Sequence, residues 1–271
     1  MARRNSMVGW MMHWSQFLGL TARPEASSVW RKVQAGDIEA VKTMLRHSNF
    51  DPNQKDPITQ KSLLALACQQ GDEAMVALFL GDPRTNVNEG AFRQACIDGK
   101  EKIVALFLQS DCLRINEKSK NHTQSYEPLQ ETTPFFDACM AGRMLVIKQL
   151  LLDPRVDTNE PNGHEWTPLF MACYQGKIEV VKVLLQDSRT DIHRAGKNPL
   201  RLGELNAKKI TPLEIAQKLG LSEIVELLEK AIKPKTKKKI SEELLVNAAE
   251  GKLSEVKSAV NAMKKKFRKK S

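Results

Sequence analysis

Apolar residues return along this chain at fixed distances from a glycine. Gly36, Gly71, Gly99, Gly142, Gly176, Gly220 and Gly251 are each followed five residues later by Val or Ile, and at plus eight and plus nine by further apolar side chains. Glu229 alone breaks the plus-nine column. After Gly176, residues Ile178, Val181, Leu184 and Leu185 make one stripe at helical spacing. Before it, Leu169, Ala172 and Cys173 make a shorter one. Each period therefore predicts two helices with a glycine between them. The small residues Ala67, Ala95, Ala138, Ala172 and Ala216 stand four before their glycines, where they let the first helix lie close to its neighbours.

A period near the low thirties means stacked supersecondary repeats, because no such repeat buries its apolar face alone. The punctuation agrees. Thr167 is a good helix cap and Pro168 suits the first helical position. Gly176 supplies the left-handed residue that ends the helix. Asp153-Pro154-Arg155-Val156-Asp157 and Asn162-Gly163 mark turns between repeats. The glycines lie 35, 28, 43, 34, 44 and 31 residues apart, so the two long gaps predict inserts near 113–132 and 191–210.

Thr167-Pro168-Leu169-Phe170-Met171-Ala172, with Gly176 to Leu185 behind it, resembles the ankyrin motif Thr-Pro-Leu-His-x-Ala, Gly, Val-Val-x-Leu-Leu. Thr133-Pro134-Phe135-Phe136-Asp137-Ala138 and Thr211-Pro212-Leu213-Glu214-Ile215-Ala216 repeat it, without the motif His. In the third repeat Gly90-Ala91-Phe92 replaces Thr-Pro-Leu. The resemblance covers residues 27–232 and extends toward 263. It implies an all-α, ankyrin-type solenoid of helix-turn-helix repeats with hairpin-loop fingers, and a protein-binding scaffold without catalysis. The inserts then lengthen fingers at the edge of the concave face.

Outside the array, residues 1–26 do not fit the repeat. Arg3, Arg4 and the apolar stretch from Met7 to Leu20 suit a targeting segment, a surface-lying helix or an apolar flap over the first repeat. The first capped repeat is expected near Ser27–Ser28, with Trp30 packing on it. Residues 233–240 form a basic linker, 241–263 a terminal helix pair capping the array, and 264–271 a basic tail. A second array starting at 241 is the alternative to the cap.

Charge sharpens this division. The chain of 271 residues carries a formal net charge of +10, and Lys230 to Ser271, with 14 basic and four acidic residues, holds all of it. The array itself is neutral and is not a nucleic-acid surface. Lys235, Lys237, Lys238, Lys239, Lys264, Lys265, Lys266, Arg268, Lys269 and Lys270 suit a solvated tail, a nuclear-import signal, or phosphate contact with nucleic acid or acidic lipid.

Four of the five cysteines, Cys68, Cys96, Cys139 and Cys173, occupy one slot, three before the glycine. Adjacent helices lie about 8–10 Å apart, beyond the roughly 7 Å that a disulfide spans. They read as buried small hydrophobes in a reducing compartment, cytoplasmic or nuclear. Cys112 falls in a turn and reads as a free thiol. No Cys-x-x-Cys spacing, phosphate-binding loop, zinc-protease helix or Gly-x-Ser-x-Gly turn occurs. No apolar run is long enough to span a membrane. No cofactor, metal or small-molecule substrate is expected. Partner contact falls instead on side chains that stacking does not require: His122 and Tyr126 in the first insert, Trp166 at a finger's return, and His193 and Arg194 in the second insert. For Trp166, packing within its own finger is the competing role. The leading reading is a scaffold for a protein partner; the alternatives are a factor anchored by its basic tail and a subunit whose partner brings the catalysis.

Overall fold

The computed structural model describes residues 24–56, 59–88, 90–118, 131–199 and 209–232. Within them lie twelve helices: α1 (Pro24–Gln34), α2 (Ile38–Leu45), α3 (Leu63–Gln70), α4 (Glu73–Leu80), α5 (Ala91–Asp98), α6 (Glu101–Leu108), α7 (Pro134–Ala141), α8 (Met144–Leu152), α9 (Pro168–Tyr174), α10 (Ile178–Gln186), α11 (Pro212–Lys218) and α12 (222–232). No strand occurs among the described residues; two isolated bridges, Lys55 with Ser62 and Gly196 with Ile210, close fingers. The chain divides after Pro168 into two compact bodies.

Hydroxyl caps open the first helices α3, α7 and α11. Ser62, Thr133 and Thr211 accept from the amides of Ala65, Phe136 and Glu214, and Glu214 completes a reciprocal box by accepting from the Thr211 amide at 2.8 Å. Helix α1 begins at Pro24, before the expected start near Ser27–Ser28, which fall within its span. Trp30 is half-buried, while Val29 and Val33 are buried.

In the first body, first helices pack on first helices (α1 on α3, α3 on α5, α5 on α7) and second on second (α2 on α4, α4 on α6, α6 on α8). The close approach uses Ala67, Ala95 and Ala138, each at most 1% exposed. The plus-five column, Val41, Val76, Val104 and Ile147, is fully buried, as is Val181 in the second body. Val225 is only half-buried, and Ile224 beside it takes the core position.

The stripe is rotated from the one read in the sequence. Met75, Ile103, Val146, Val180 and Ile224, at plus four, are buried. The plus-nine residues Leu45, Leu80, Leu108, Leu151 and Leu185 are half-buried. At 3.6 residues per turn, plus nine lies roughly 90° from the centre of a face made by plus four, five and eight. It is the edge of the buried stripe.

Candidate functional site

The fingers are built by short polar side chains turning on their own backbone. Asp56 Oδ2 accepts from the Thr59 amide at 2.8 Å, and the Asp56 amide donates to the Lys61 carbonyl at 2.9 Å. In the finger before α9, Asn162 Oδ1 accepts from the amides of His164 (3.0 Å) and Trp166 (3.1 Å), and the Asn162 amide donates to the Trp166 carbonyl at 3.0 Å. In the second body, the Gly196 and Ile210 amides and carbonyls pair reciprocally at 3.0 Å. The ends of both sequence inserts are part of the stack: Leu113, Ile115, Ile192 and Ile210 are buried.

Two kinds of staple tie the repeats of the first body together. Arg84 donates to the Leu45 carbonyl (2.6 Å) at the end of the preceding second helix and to the His47 (3.2 Å) and Phe50 (3.0 Å) carbonyls in the turn after it, and Asp82 holds its guanidinium at 2.6 Å. Arg155, held by Asp153 at 2.8 Å, does the same to Leu108 (2.7 Å) and Ser110 (3.2 Å). Cations suit these carbonyls because a helix C-terminus leaves its last acceptors unpaired. The Asp187–Arg189 pair, 2.7 Å, repeats the local geometry in the second body. Hydrogen bonds from Arg84 and Arg189 hold the Asp82 and Asp187 carboxyls below the usual range, and the Asp partners raise Arg84 and Arg155.

The second staple is an asparagine ladder. Asn53 donates to the Arg84 carbonyl and accepts from the Asn86 amide, both at 2.7 Å. Asn88 does so with Cys112 (3.2 Å) and Arg114 (2.7 Å), and Asn116 with Arg155 (2.8 Å) and Asp157 (2.9 Å). Each amide supplies one donor and one acceptor to the next repeat's backbone, so both are satisfied at once. On the first-helix side, Lys100 donates to the Cys68 (2.8 Å) and Gln69 (2.5 Å) carbonyls, and Arg143 to Ile97 (2.6 Å).

Of the side chains selected from sequence, Trp166 is 5% exposed, with its ring 4.7 Å from that of His164. Its indole packs in the finger instead of standing out from it. His193 and Arg194 are exposed in the second body, and the His193 amide is fixed by Asp191 Oδ1 at 2.9 Å. His122, Tyr126, residues 241–263, where a terminal helix pair is expected, and the basic residues from Lys235 to Lys270 lie outside the described residues, as does the segment before Pro24.

The four slot cysteines are buried, Cys112 is exposed, and none of the five is in a disulfide. Burial pushes the Cys68 and Cys173 thiols up to about 12 and raises Cys96 as well. These thiols are not nucleophiles near neutral pH. Among the described residues no His, Cys, Asp and Glu group could hold a metal ion, and no helix is long and apolar enough to cross a membrane.

The staples were missed in the sequence, although the triplets Asp82-Pro83-Arg84, Asp153-Pro154-Arg155 and Asp187-Ser188-Arg189 recur in register and could have flagged them. The signal for Arg93 was weaker. It is a charged residue between Phe92 and the exposed Gln94, on the face of its helix that carries Ala91, Ala95 and Cys96 into the core.

Paired short helices joined by polar fingers and backbone staples define a helical-repeat scaffold. The chain belongs to the ankyrin-repeat family: residues 92–196 and 135–238 match the family model for ankyrin repeats. Three solved structures share the fold. An ankyrin repeat domain from Acinetobacter baumannii AYE is 20% identical, with a TM-score of 0.57 over 75% of this chain and 97% of that one. The ankyrin repeat protein EF0377 is 17% identical, with a TM-score of 0.54 over 73% and 94%. The human ASB11 ankyrin repeat domain is 21% identical, with a TM-score of 0.51 over 74% and 82%. No curated protein matches the sequence. Ankyrin repeats are in general protein–protein interaction modules without catalysis.

Proposed function

We propose that this protein is a non-catalytic adaptor that holds a protein partner against its first helices and fingers. The observation that carries this reading is the stapling of the fingers. Arg84 and Arg155 tie the turn before one finger to the end of the preceding second helix, and the Asn53, Asn88 and Asn116 rungs tie the bases of successive fingers together across the first body. A surface ordered before contact loses little entropy on binding. His193 and Arg194 stand exposed on a finger of the second body and are contact candidates there; His122 and Tyr126 are candidates from sequence. Trp166 contributes as a support beneath its finger. A photo-crosslinking residue placed at Gln94 on α5, or at His193, is expected to capture the partner in cells. One at Lys148, exposed on the second helix α8, is expected not to. Capture only from Lys148 would assign binding to the other side of the repeats.

A second reading is favoured by the charge distribution alone. All of the net +10 lies from Lys230 onward, which suits contact with nucleic acid or acidic lipid, or nuclear import from the cytoplasm. Such binding weakens steeply with salt. Deleting 233–271 is expected to abolish it, and a fluorescent fusion of that variant reports any change in compartment. Unchanged affinity after deletion would remove this reading.

A further inference from the structure

The third repeat lacks the cap that opens other first helices. Gly90 (φ +81°) replaces the hydroxyl residue, and α5 has no side-chain cap. Arg93 occupies the slot where the ankyrin motif places its His, and it is only 8% exposed. Its guanidinium crosses to the fourth repeat. Nη1 donates to the Thr132 carbonyl at 2.7 Å, and Nη2 lies 2.6 Å from Asp137 Oδ2 and donates to the Thr132 hydroxyl. That hydroxyl donates in turn to Asp137 Oδ1 at 2.8 Å, closing a ring of three side chains. Asp137 is fully buried and Thr132 is 1% exposed. Burial pulls the Arg93 pKa down, against the pull of Asp137.

Thr132 immediately precedes Thr133, the cap of α7, and ends the insert that separates the third and fourth repeats. The ring therefore sits where the chain returns from the insert to the stack. A buried ion pair is a poor source of net stability, since well-packed apolar residues often do as well or better. Its fork geometry does fix position, because planar guanidinium binding tolerates little displacement. We propose that Arg93 is a positioning residue. Through Thr132 and Asp137 it sets where the insert returns onto the array, in place of the local motif that the third repeat has lost. Its consequence for a partner rests on the adaptor reading; its structural claim does not.

The test compares full-length wild type with Arg93→Met/Asp137→Leu, which replaces the pair by apolar side chains, and with Arg93→Lys, which keeps charge but loses the fork. Hydrogen exchange is followed over 131–138, with 63–70 as the control, beside the melting temperature. The double variant is expected to melt within a few degrees of wild type while exchange over 131–138 quickens at least tenfold and the control holds. Arg93→Lys is expected to quicken the same segment. Wild-type exchange over 131–138 in the double variant, or equal acceleration in both segments, would overturn the proposal. Failure of the Gln94 and His193 crosslinks would count against the adaptor reading and leave this result standing.

Discussion

Leu150 and Leu152 stand two residues apart on α8 and have opposite surroundings: Leu150 is fully buried and Leu152 is 86% exposed. Leu150→Ala should cost roughly 2–5 kcal/mol by leaving a cavity, whereas Leu152→Lys should change stability by no more than about 0.5 kcal/mol. Chemical denaturation of both variants checks the assignment. The thiols give a second residue-scale prediction. A thiol reagent at pH 8 should label Cys112 in the folded protein and reach Cys68, Cys96, Cys139 and Cys173 only on unfolding. Because Cys68 and Cys173 rise from 9.0 to about 12 on folding, the unfolded chain releases those protons first as pH rises. Their contribution is full below about pH 9 and is lost between 9 and 12. A denaturation series across that range should show stability falling.

At the scale of the element, the hinge between α5 and α6 is the sharpest case. Gly99 has φ +78°, and a Cβ there would lie 2.9 Å from Arg143 Cδ. Gly99→Ala should cost about 1–2 kcal/mol from the left-handed backbone alone and also displace the Arg143 bond to Ile97. At Gly90, where nothing lies within 4 Å, the Ala variant should lose less. Comparing the two melting temperatures separates strain from contact. Helix existence and pairing were legible in the sequence because the plus-five residue keeps one fixed offset from each turn glycine, even where the gaps between repeats differ. The edges of the buried stripe were not. Plus four and plus nine lie equally far to either side of the plus-five and plus-eight positions, and only the neighbouring helix decides which is covered. Val225 and Trp30 show the same limit, as both are half-buried.

For the whole molecule, stability of a repeat array is the sum of repeats and nearest-neighbour interfaces. Val181 is fully buried, so Val181→Asp places an unpaired carboxylate in the second body, costing several kcal/mol. It should expose Cys173 to thiol reagents while Cys68, in the first body, stays protected. Simultaneous labelling of both would mean that the chain unfolds as one unit. The exposure of the candidate side chains was legible only in part. His193 and Arg194 are exposed as their turn position suggested, but Trp166 is drawn inward because the Asn162 turn places its ring against His164.

Sequence alone determined the repeat, its helix pairs, its family and the segregation of positive charge, since each is written in spacing and composition within a few tens of residues. Tertiary structure decided which flank of each helix is dry, that Asp-x-Arg turns cap the preceding repeat, and that Arg93 is answered by Asp137. Those depend on groups about 40 residues apart meeting within hydrogen-bond distance; the recurring Asp-x-Arg triplets mark where the turns lie, but not which backbone or side chain each one reaches.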